Sequence, residues 1–301
     1  AEMSEVSLAS RRIADAGLDT VAVPMTVADH LKWVAASALD AVLLDSYRLE
    51  PGVSRELMRH VPVLALIDGS ARGQTASLYV DQNFGAQDLP WPPKSPPNSQ
   101  AAPRLAGSDF AILGSSILTF RPKEPERQSN PARLLVALGG TDAAGLTGLV
   151  VSAVEAAGLP VDVTVISGEQ GSTRLPEDSG FRVAFQNPTT DFPKLLSQAS
   201  AVVFAAGSSL WEAACLGKPI AALAVAQNQS STYGGLVTAG LIHGLGDVTL
   251  QPVTAAELGG RIRNFLADYQ LRQALSQRGF DTIDGLGRSR IFKEFETLYN
   301  S

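Results

Sequence analysis

Two glycine- and hydroxyl-rich turns hold the residues of this sequence that are best suited to bind a ligand. One is Gly139-Gly140-Thr141-Asp142, and the other is Gly207-Ser208-Ser209. Each turn follows a short apolar run typical of a buried parallel strand and precedes residues with helical spacing. A helix that begins at such a turn points free backbone N–H groups and its positive dipole end at the ligand side. Both turns therefore predict a site for an anionic group such as a phosphate.

The second turn also has an interpretation that needs no ligand. Ser209-Leu210-Trp211-Glu212 matches the capping-box pattern, in which the serine and the glutamate satisfy the first amides of the helix. Capping alone would explain both side chains, so both interpretations stay open. The ligand interpretation is favoured because the same kind of turn occurs twice in the chain.

Two acidic residues follow predicted buried strands in the first half of the chain. The strand at 41–44 ends at Asp45-Ser46-Tyr47, and the strand at 63–67 ends at Asp68-Gly69. The carboxyl ends of strands in open parallel sheets face the ligand crevice, which makes Asp45, Tyr47 and Asp68 candidate catalytic residues. The equally favoured alternative is that each acid only caps the turn that follows it.

The elements that must position these residues alternate between strands and helices. The apolar runs predict strands at 20–23, 41–44, 63–67, 78–83, 133–138, 161–166, 182–185, 202–204 and 219–225. The helical spacings predict helices at 7–16, 27–38, 143–157, 191–199, 210–216, 255–269, 271–279 and 288–299, with further helices ending near His60 and Gly240. This alternation predicts a doubly wound parallel sheet in each half.

Two proline-rich segments interrupt the pattern. The segment at 87–107 is predicted to be an exposed, mobile loop without a regular element. The segment RPKEPERQSNP at 121–131 combines charge with proline and contains the predicted linker. The predicted domains are 1–122 and 132–301, joined by the linker at 123–131.

Composition limits the classes of function. The 301 residues are 45% hydrophobic and 18% charged, which is typical of a globular protein without membrane-spanning segments. A net charge of -6 argues against a general nucleic-acid-binding surface. The single cysteine, Cys215, excludes an intramolecular disulfide, and the first residues do not resemble a signal peptide, so we expect a cytoplasmic protein. No spacing of His, Cys and acidic residues suggests a metal site.

At this point the motifs resemble a known family. The segments AVVFAAGSSLWEAACLGKP, LLVALGGTDAAGLT, AVAQNQ and IDGLGRSRI are similar to those of the PseG/SpsG-like UDP-sugar hydrolases of nonulosonic acid and spore coat polysaccharide biosynthesis. In the first half, LLDSYRL, LALIDGS, YVDQNFGA and LAGSDFAIL match in the same order. These hydrolases are related to the MurG-type glycosyltransferases. The resemblance implies an α/β protein of the GT-B-like fold, with two Rossmann-like domains facing a cleft.

The resemblance also implies roles for individual residues. A UDP-sugar would lie between the domains, with its nucleotide on the second one. Gly140, Thr141, Gly207, Ser208 and Ser209 would approach the diphosphate. Glu212 would accept hydrogen bonds from the ribose hydroxyls, and Asn228 and Gln229 would face the sugar or the diphosphate. Water would cleave the glycosyl–phosphate bond, with helix amides stabilising the departing diphosphate and no metal or other cofactor taking part.

The chain departs from the family pattern in its first domain. The family begins with a G-x-G-H-x-x-R segment whose histidine is the proposed base, and that segment is absent from these 301 residues. The first domain is therefore expected to lack its initial β-α-β unit. Gly69 stands where the family tends to repeat aspartate. None of His30, His60 and His243 is a convincing replacement for the base, although His243 is expected near the crevice.

Two alternatives to a hydrolase stay open. A glycosyltransferase would use the same nucleotide site but pass the sugar to an acceptor. A non-catalytic nucleotide-sugar-binding partner would need no base. The sequence identifies neither the sugar nor the oligomeric state.

Overall fold

A computed structural model describes residues 17–18, 32, 34, 39–91, 102–127, 133–139, 142, 144–167 and 182–299. The described chain divides into two compact units at Ile112/Leu113 and at Asp284/Gly285. The residues up to Ile112, together with those from Gly285 onward, form the four-stranded unit. The residues between these two boundaries form the six-stranded unit. The predicted domain boundaries at 122 and 132 stay a prediction, and they differ from this division in the placement of residues 113–122 and of the last helix.

The four-stranded unit is a parallel sheet in the order β1-β2-β3-β4. Its strands and its helix are β1 (Val42–Leu44), α1 (Pro51–Leu57), β2 (Val63–Leu66), β3 (Leu78–Asp81) and β4 (Arg104–Ala106). Apolar residues of β2, β3 and α1 form its core, and Val53, Val63 and Leu78 are completely buried. The strands predicted at 41–44, 63–67 and 78–83 are confirmed within a few residues.

The segment predicted at 87–107 to lack a regular element contains part of one, so this prediction is wrong at its end. Residues 104–106 form β4, which pairs in parallel with β3. The proline before the strand is harmless because Pro103 contributes only its carbonyl, which accepts a hydrogen bond from the Tyr79 amide at 3.0 Å. A 3-10 helix, Ala86–Asp88, overlaps the start of the segment.

The last helix, α9 (Gly287–Tyr299), belongs to the four-stranded unit. Its buried Ile291 packs against Leu64, Leu78 and Val80 of the sheet. A side chain at Gly287 would come within 2.3 Å of the Ala111 carbonyl oxygen, so only glycine fits at this close approach. Gly287 and Ile291, both from the sequence IDGLGRSRI, therefore pack in this unit.

The six-stranded unit is a parallel sheet in the order β10-β9-β8-β5-β6-β7. Its strands are β5 (Arg133–Ala137), β6 (Asp162–Ile166), β7 (Arg182–Gln186), β8 (Ala201–Ala205), β9 (Ile220–Ala224) and β10 (His243–Asp247). Its helices are α2 (Ser115–Leu118), α3 (Thr147–Ala157), α4 (Phe192–Gln198), α5 (Ser209–Cys215), α6 (Gln227–Thr238), α7 (Ala255–Ala267) and α8 (Tyr269–Thr282). Every residue of β8 and β9 is buried, as their uniformly apolar sequences predict.

Three helix starts differ from the sequence prediction. Helix α3 begins at Thr147 instead of residue 143, because Gly145 lies in the left-handed region with a φ of 63°. Helix α6 begins at Gln227, within the segment AQNQSS that the sequence pattern places before the helix ending near Gly240. Helix α5 begins at Ser209, one residue earlier than predicted.

The first residues of the six-stranded unit are anchored to it by Arg121. Its guanidinium donates hydrogen bonds to the carbonyls of Cys215, Phe280 and Ile283 and stacks on the Phe280 ring at 3.8 Å. These carbonyls lie at the carboxyl ends of α5 and α8, where helices have unpaired acceptors. Arg121 therefore ties two helix ends to the segment that leads into the unit.

The helix at 7–16, the strand at 20–23 and nearly all of the helix at 27–38 lie outside the described residues, as does His30. Among the described helices, none is long and apolar enough to cross a membrane.

Candidate functional site

The two glycine-containing turns follow neighbouring strands of the six-stranded unit. Strands β5 and β8 are hydrogen-bonded neighbours, with Ala137 opposite Phe204, and each turn follows the carboxyl end of one of them. The strand order also reverses between β5 and β8, since β6 and β7 lie on one side and β9 and β10 on the other. Open parallel sheets bind ligands at such a switch point. The carboxyl ends of β5 and β8, from which the two turns start, therefore lie where a ligand is expected.

The turn between β8 and α5 does not form the predicted capping box. The residue before the helix is Ser208, whose side chain makes no capping hydrogen bond, and Ser209 is already the first helical residue. Glu212 is consequently one position too far along the helix to fill the capping-box position. The capping interpretation of Ser209 and Glu212 is wrong for this structure.

Two backbone amides of this turn are available to a ligand. The carbonyls of Gly207 and Ser208 accept hydrogen bonds from Leu210 at 3.1 Å and from Trp211 at 3.0 Å. Within the described part of the chain, the amides of Ser208 and Ser209 donate to no protein acceptor. Ser208 is exposed and Ser209 is half-buried. The turn therefore presents two adjacent N–H donors at the edge of the sheet, as the anion-site prediction requires.

Gln229 lies against the same turn. Its side-chain oxygen accepts a hydrogen bond from the Val225 amide at 2.9 Å, which fixes the side chain at the start of α6. Its amide nitrogen lies 3.6 Å from the position that a β-carbon would occupy on Gly207. Glycine at 207 thus leaves room beside Gln229. Asn228, the preceding residue, is exposed at the same end of α6.

The turn between β5 and α3 is capped by a side chain of the protein itself. The Asp142 carboxylate accepts hydrogen bonds from the amides of Leu146 and Thr147, each at 3.0 Å. These amides are therefore not free for a phosphate. Gly139, with a φ of 97°, begins the turn, whereas Gly140 and Thr141 lie outside the described residues. The first amides of α3 are therefore occupied by the protein's own carboxylate.

A second group of polar residues lies at the carboxyl edge of the four-stranded unit. The Tyr47 hydroxyl donates a hydrogen bond to Asp68 Oδ2 at 2.7 Å. The Asn83 side-chain amide donates to the other oxygen, Asp68 Oδ1, also at 2.7 Å. These residues follow β1, β2 and β3 respectively, so three adjacent strand ends contribute to one cluster, which we call the Asp68 cluster.

Arg72 completes the Asp68 cluster. Its guanidinium lies 3.9 Å from the centre of the Tyr47 ring, and its nitrogen lies 3.9 Å from Asp68 Oδ2. Burial raises the pKa of the Tyr47 phenol, and the hydrogen bond and negative charge of Asp68 raise it further, while Arg72 lowers it. The phenol therefore keeps its proton at neutral pH, although 61% of Tyr47 is exposed.

The cluster can orient and relay a proton. The Tyr47 proton points at Asp68, which leaves the phenol oxygen able to accept a hydrogen bond from a water molecule or a hydroxyl group. If that group gives a proton to Tyr47, Tyr47 can pass its own proton to Asp68. Asp45, the third candidate, is exposed and makes no hydrogen bond or ion pair within the described residues, so the structure does not bring it into the cluster.

The sequence did not single out Arg72, Asp81 or Asn83. Asp81 ends β3 and Asn83 follows two residues later, so the rule that pointed to Asp45 and Asp68 would have found both. The predicted strand at 78–83 instead includes both residues, because it extends two residues beyond the end of β3. Arg72 lies in an irregular loop after β2, where no sequence pattern predicts a contact with Tyr47.

His243 does not lie near the predicted crevice. It is the first residue of β10, at the opposite end of the strand from the ligand edge. Its Nε2 lies 3.1 Å from the Arg261 carbonyl oxygen, and its ring stacks on Phe265. His243 is therefore a packing residue, and the exposed His60 lies beside Glu56 on the surface.

Comparison with known proteins supports the resemblance read from the motifs. No model of a known protein family matches the chain. The spore coat polysaccharide biosynthesis protein SpsG of Bacillus subtilis strain 168 is 27% identical over 199 residues, which make up 64% of this chain. The match spans only 58% of the length of SpsG.

Solved structures agree on the fold. Acinetobacter baumannii MurG superimposes with a TM-score of 0.62 at 13% identity, over 96% of this chain and 88% of that protein. S. aureus MnaA, solved with UDP, gives a TM-score of 0.62 at 10% identity, over 96% and 86% of the two chains. These identities are too low to transfer a function, but the fold assignment is clear. The chain is therefore similar in sequence to SpsG and has the GT-B type of fold.

Proposed function

We propose that the protein binds a UDP-sugar and that its six-stranded unit holds the nucleotide. The observation that carries this proposal is the pair of turns after β5 and β8, which meet where the strand order reverses. The free amides of Ser208 and Ser209 suit a phosphate oxygen. The likeness to SpsG and the UDP-bound fold relative make a nucleotide sugar the preferred ligand.

The remaining contacts of the proposed nucleotide site follow from the family resemblance. Gly140 and Thr141 would approach the diphosphate at the first turn, because Asp142 already occupies the amides beyond them. Glu212, half-buried in α5, would bind the ribose hydroxyls. Asn228 and Gln229 would face the sugar or the diphosphate, and the Gln229 amide nitrogen, 3.6 Å from where a β-carbon on Gly207 would be, lies on the side of this turn.

The proposed reaction is hydrolysis of the glycosyl–phosphate bond. Water would add its oxygen to the anomeric carbon, and UDP would leave with the electron pair of the broken carbon–oxygen bond. The Ser208 and Ser209 amides would stabilise the charge on the leaving diphosphate. Tyr47 and Asp68 are the proposed acceptors of the proton that water loses, because the phenol oxygen can accept while its own proton passes to Asp68.

A direct binding experiment tests the nucleotide site. UDP in large excess over its dissociation constant should raise the free energy of unfolding by about 2.7 kcal/mol at a hundredfold excess. The measurement is a thermal melt of the chain with and without millimolar UDP, with uridine as the control that lacks phosphate. A melting temperature that UDP does not change would contradict the proposal.

A glycosyltransferase is the second candidate function, and the fold shared with MurG favours it. The same nucleotide site would serve both reactions, so UDP binding does not separate them. The separating measurement is UDP release from a panel of UDP-sugars, with and without lipid or sugar acceptors. Release without an acceptor supports the hydrolase, and release that requires an acceptor supports the transferase. Binding without release under either condition supports a non-catalytic nucleotide-sugar-binding protein.

A further inference from the structure

Asp81 is a completely buried acid at the carboxyl end of β3. Its Oδ2 accepts a hydrogen bond from the Gly69 amide at 3.2 Å, and its Oδ1 accepts one from the Asn83 amide at 3.2 Å. A buried carboxylate is costly unless such donors compensate it, so an acid at this position needs a reason beyond packing. The residues that donate to it suggest the reason.

Both donors belong to the loops that build the Asp68 cluster. Gly69 directly follows Asp68, and its φ of 69° makes this a tight turn that a side chain would strain. Asn83 is the residue whose side chain donates to Asp68 Oδ1. One oxygen of Asp81 therefore fixes the loop that presents Asp68, and the other fixes the loop that presents its partner.

We propose that Asp81 is the positioning residue of the Asp68 cluster. It holds the loops after β2 and β3 at the separation at which Asn83 and Tyr47 can bind opposite oxygens of Asp68. Asp81 itself does not contact substrate. The importance of this role for catalysis rests on the proposed function, but the positioning can be measured without any substrate.

The neighbours of Asp81 shift its pKa in opposite directions. Burial raises the pKa of Asp81 above its usual value, and the charge of Asp68 also raises it, whereas the amides of Asn83 and Gly69 and the charge of Arg104 lower it without cancelling the rise. Arg104 is itself held in place, since its guanidinium donates to the carbonyls of Ala86 and Leu89. The two amide hydrogen bonds offset part of the cost of burying the carboxylate, and they are the contacts on which the positioning role depends.

The Tyr47 phenol is a reporter of the cluster. Asp68 raises the pKa of Tyr47, and Asp81 is not among the groups that shift it directly. A change at Asp81 should therefore affect Tyr47 only by moving Asp68 or Asn83. The titration can be followed by NMR of 13C-labelled tyrosine, with the Tyr47 signal assigned by its loss in Tyr47→Phe.

The test compares Asp81→Asn with Asp68→Asn, the double variant and the control Asp109→Asn, which changes an exposed acid of the same unit. We expect Asp81→Asn and Asp68→Asn each to lower the pKa of Tyr47. In the Asp68→Asn background the Asp81 change should have no further effect, because both act on one contact. Asp109→Asn should leave the pKa of Tyr47 unchanged. An unchanged pKa in folded Asp81→Asn, or additive shifts in the double variant, would overturn the proposal.

A second measurement on the unaltered protein covers the case in which Asp81→Asn does not fold. The amides of Gly69 and Asn83 should exchange with deuterium at least tenfold more slowly than their unstructured rates. Exchange at the unstructured rate would also overturn the proposal. Neither result depends on UDP, so a failed UDP melt with a positive Tyr47 result would reject the function and keep the positioning role.

Discussion

Asp142 accepts a hydrogen bond from the amide of Thr147 at 3.0 Å, so the start of α3 is capped by the protein's own carboxylate. Asp142 achieves this from a left-handed backbone conformation with a φ of 41°. Asparagine and aspartate tolerate this conformation, and both side chains can accept from helix amides. Two of the amides that the sequence suggested for phosphate binding therefore already donate to a carboxylate of the protein.

This contact predicts different effects for two substitutions. Asp142→Ala removes the cap and places alanine at a positive φ, and we expect the free energy of unfolding to fall by about 2 kcal/mol. Asp142→Asn keeps both features and should cost less than about 0.5 kcal/mol. Urea unfolding of the two variants measures the difference. Equal costs would mean that the cap and the backbone conformation contribute little.

The free amide of Ser208 can be removed without changing much else. Ser208 has a φ of -61°, which proline can adopt. The preceding residue is Gly207, which has no β-carbon to clash with a proline ring at position 208. Ser208→Pro deletes the N–H group. Ser208→Ala keeps the N–H group and removes only a hydroxyl that does not cap the helix. We expect Ser208→Pro to weaken UDP binding roughly tenfold and Ser208→Ala to leave it unchanged. Isothermal titration with UDP provides the comparison, and equal affinities would argue against an amide contact.

Glu212 has a clearer test because the capping box is not formed. As a ribose ligand, Glu212→Gln should weaken UDP binding by about 1.5 to 3 kcal/mol, or at least roughly tenfold, with an almost unchanged melting temperature of the free protein. Ser209→Ala is the matched change on the same turn of the helix. Since Ser209 caps nothing, we expect it to cost less than about 0.5 kcal/mol of stability, below the roughly 1 kcal/mol that a capping serine would contribute. Undiminished UDP affinity in Glu212→Gln would remove Glu212 from the site.

The sequence was sufficient to predict most of the fold but only part of the site. Strands such as β8 and β9 are uniformly apolar because both faces of a parallel sheet are buried, and this pattern is visible in the chain itself. β4 was missed because its pairing with β3 depends on a neighbour from another part of the sequence. Its three residues follow a proline and precede a glycine, and they are too few to show the alternation or the apolar run that predicts a strand.

The site shows the same limit. Tyr47 and Asp68 were predicted separately from their positions after strands, but their contact is a consequence of how β1 and β2 pair. Arg72 joins them through an irregular loop that no periodicity describes. The capping box at Ser209 failed because a shift of the helix start by one residue changes which position Glu212 fills, and helix starts are rarely fixed to one residue by sequence.

His243 predicts a pH dependence of stability. Burial lowers its pKa in the folded state, and the charge of Arg261 lowers it further, while the hydrogen bond to the Arg261 carbonyl and the charge of Asp268 raise it. The unfolded chain therefore binds a proton at higher pH than the folded chain, so this histidine reduces stability as the pH falls below about 6.5. His243→Gln keeps a donor without titrating. The difference in unfolding free energy between the parent protein and this variant should decrease from pH 7 to pH 5, and a difference independent of pH would contradict the assignment.

The close contact between α9 and the backbone of Ala111 predicts a large effect of a single methyl group. A β-carbon on Gly287 would lie 2.3 Å from the Ala111 oxygen and 2.7 Å from its nitrogen, and backbone atoms cannot move aside as a flexible side chain can. Gly287→Ala should therefore lower the free energy of unfolding by at least about 2 kcal/mol. The matched control is Gly260→Ala in α7, where a β-carbon meets nothing within 4 Å and the glycine is exposed. Alanine should stabilise that helix by about 0.5 to 1 kcal/mol. Chemical unfolding of both variants measures whether each substitution lowers or raises the free energy of unfolding. A Gly287→Ala protein as stable as the parent would show that α9 can move away from Ala111 at little cost.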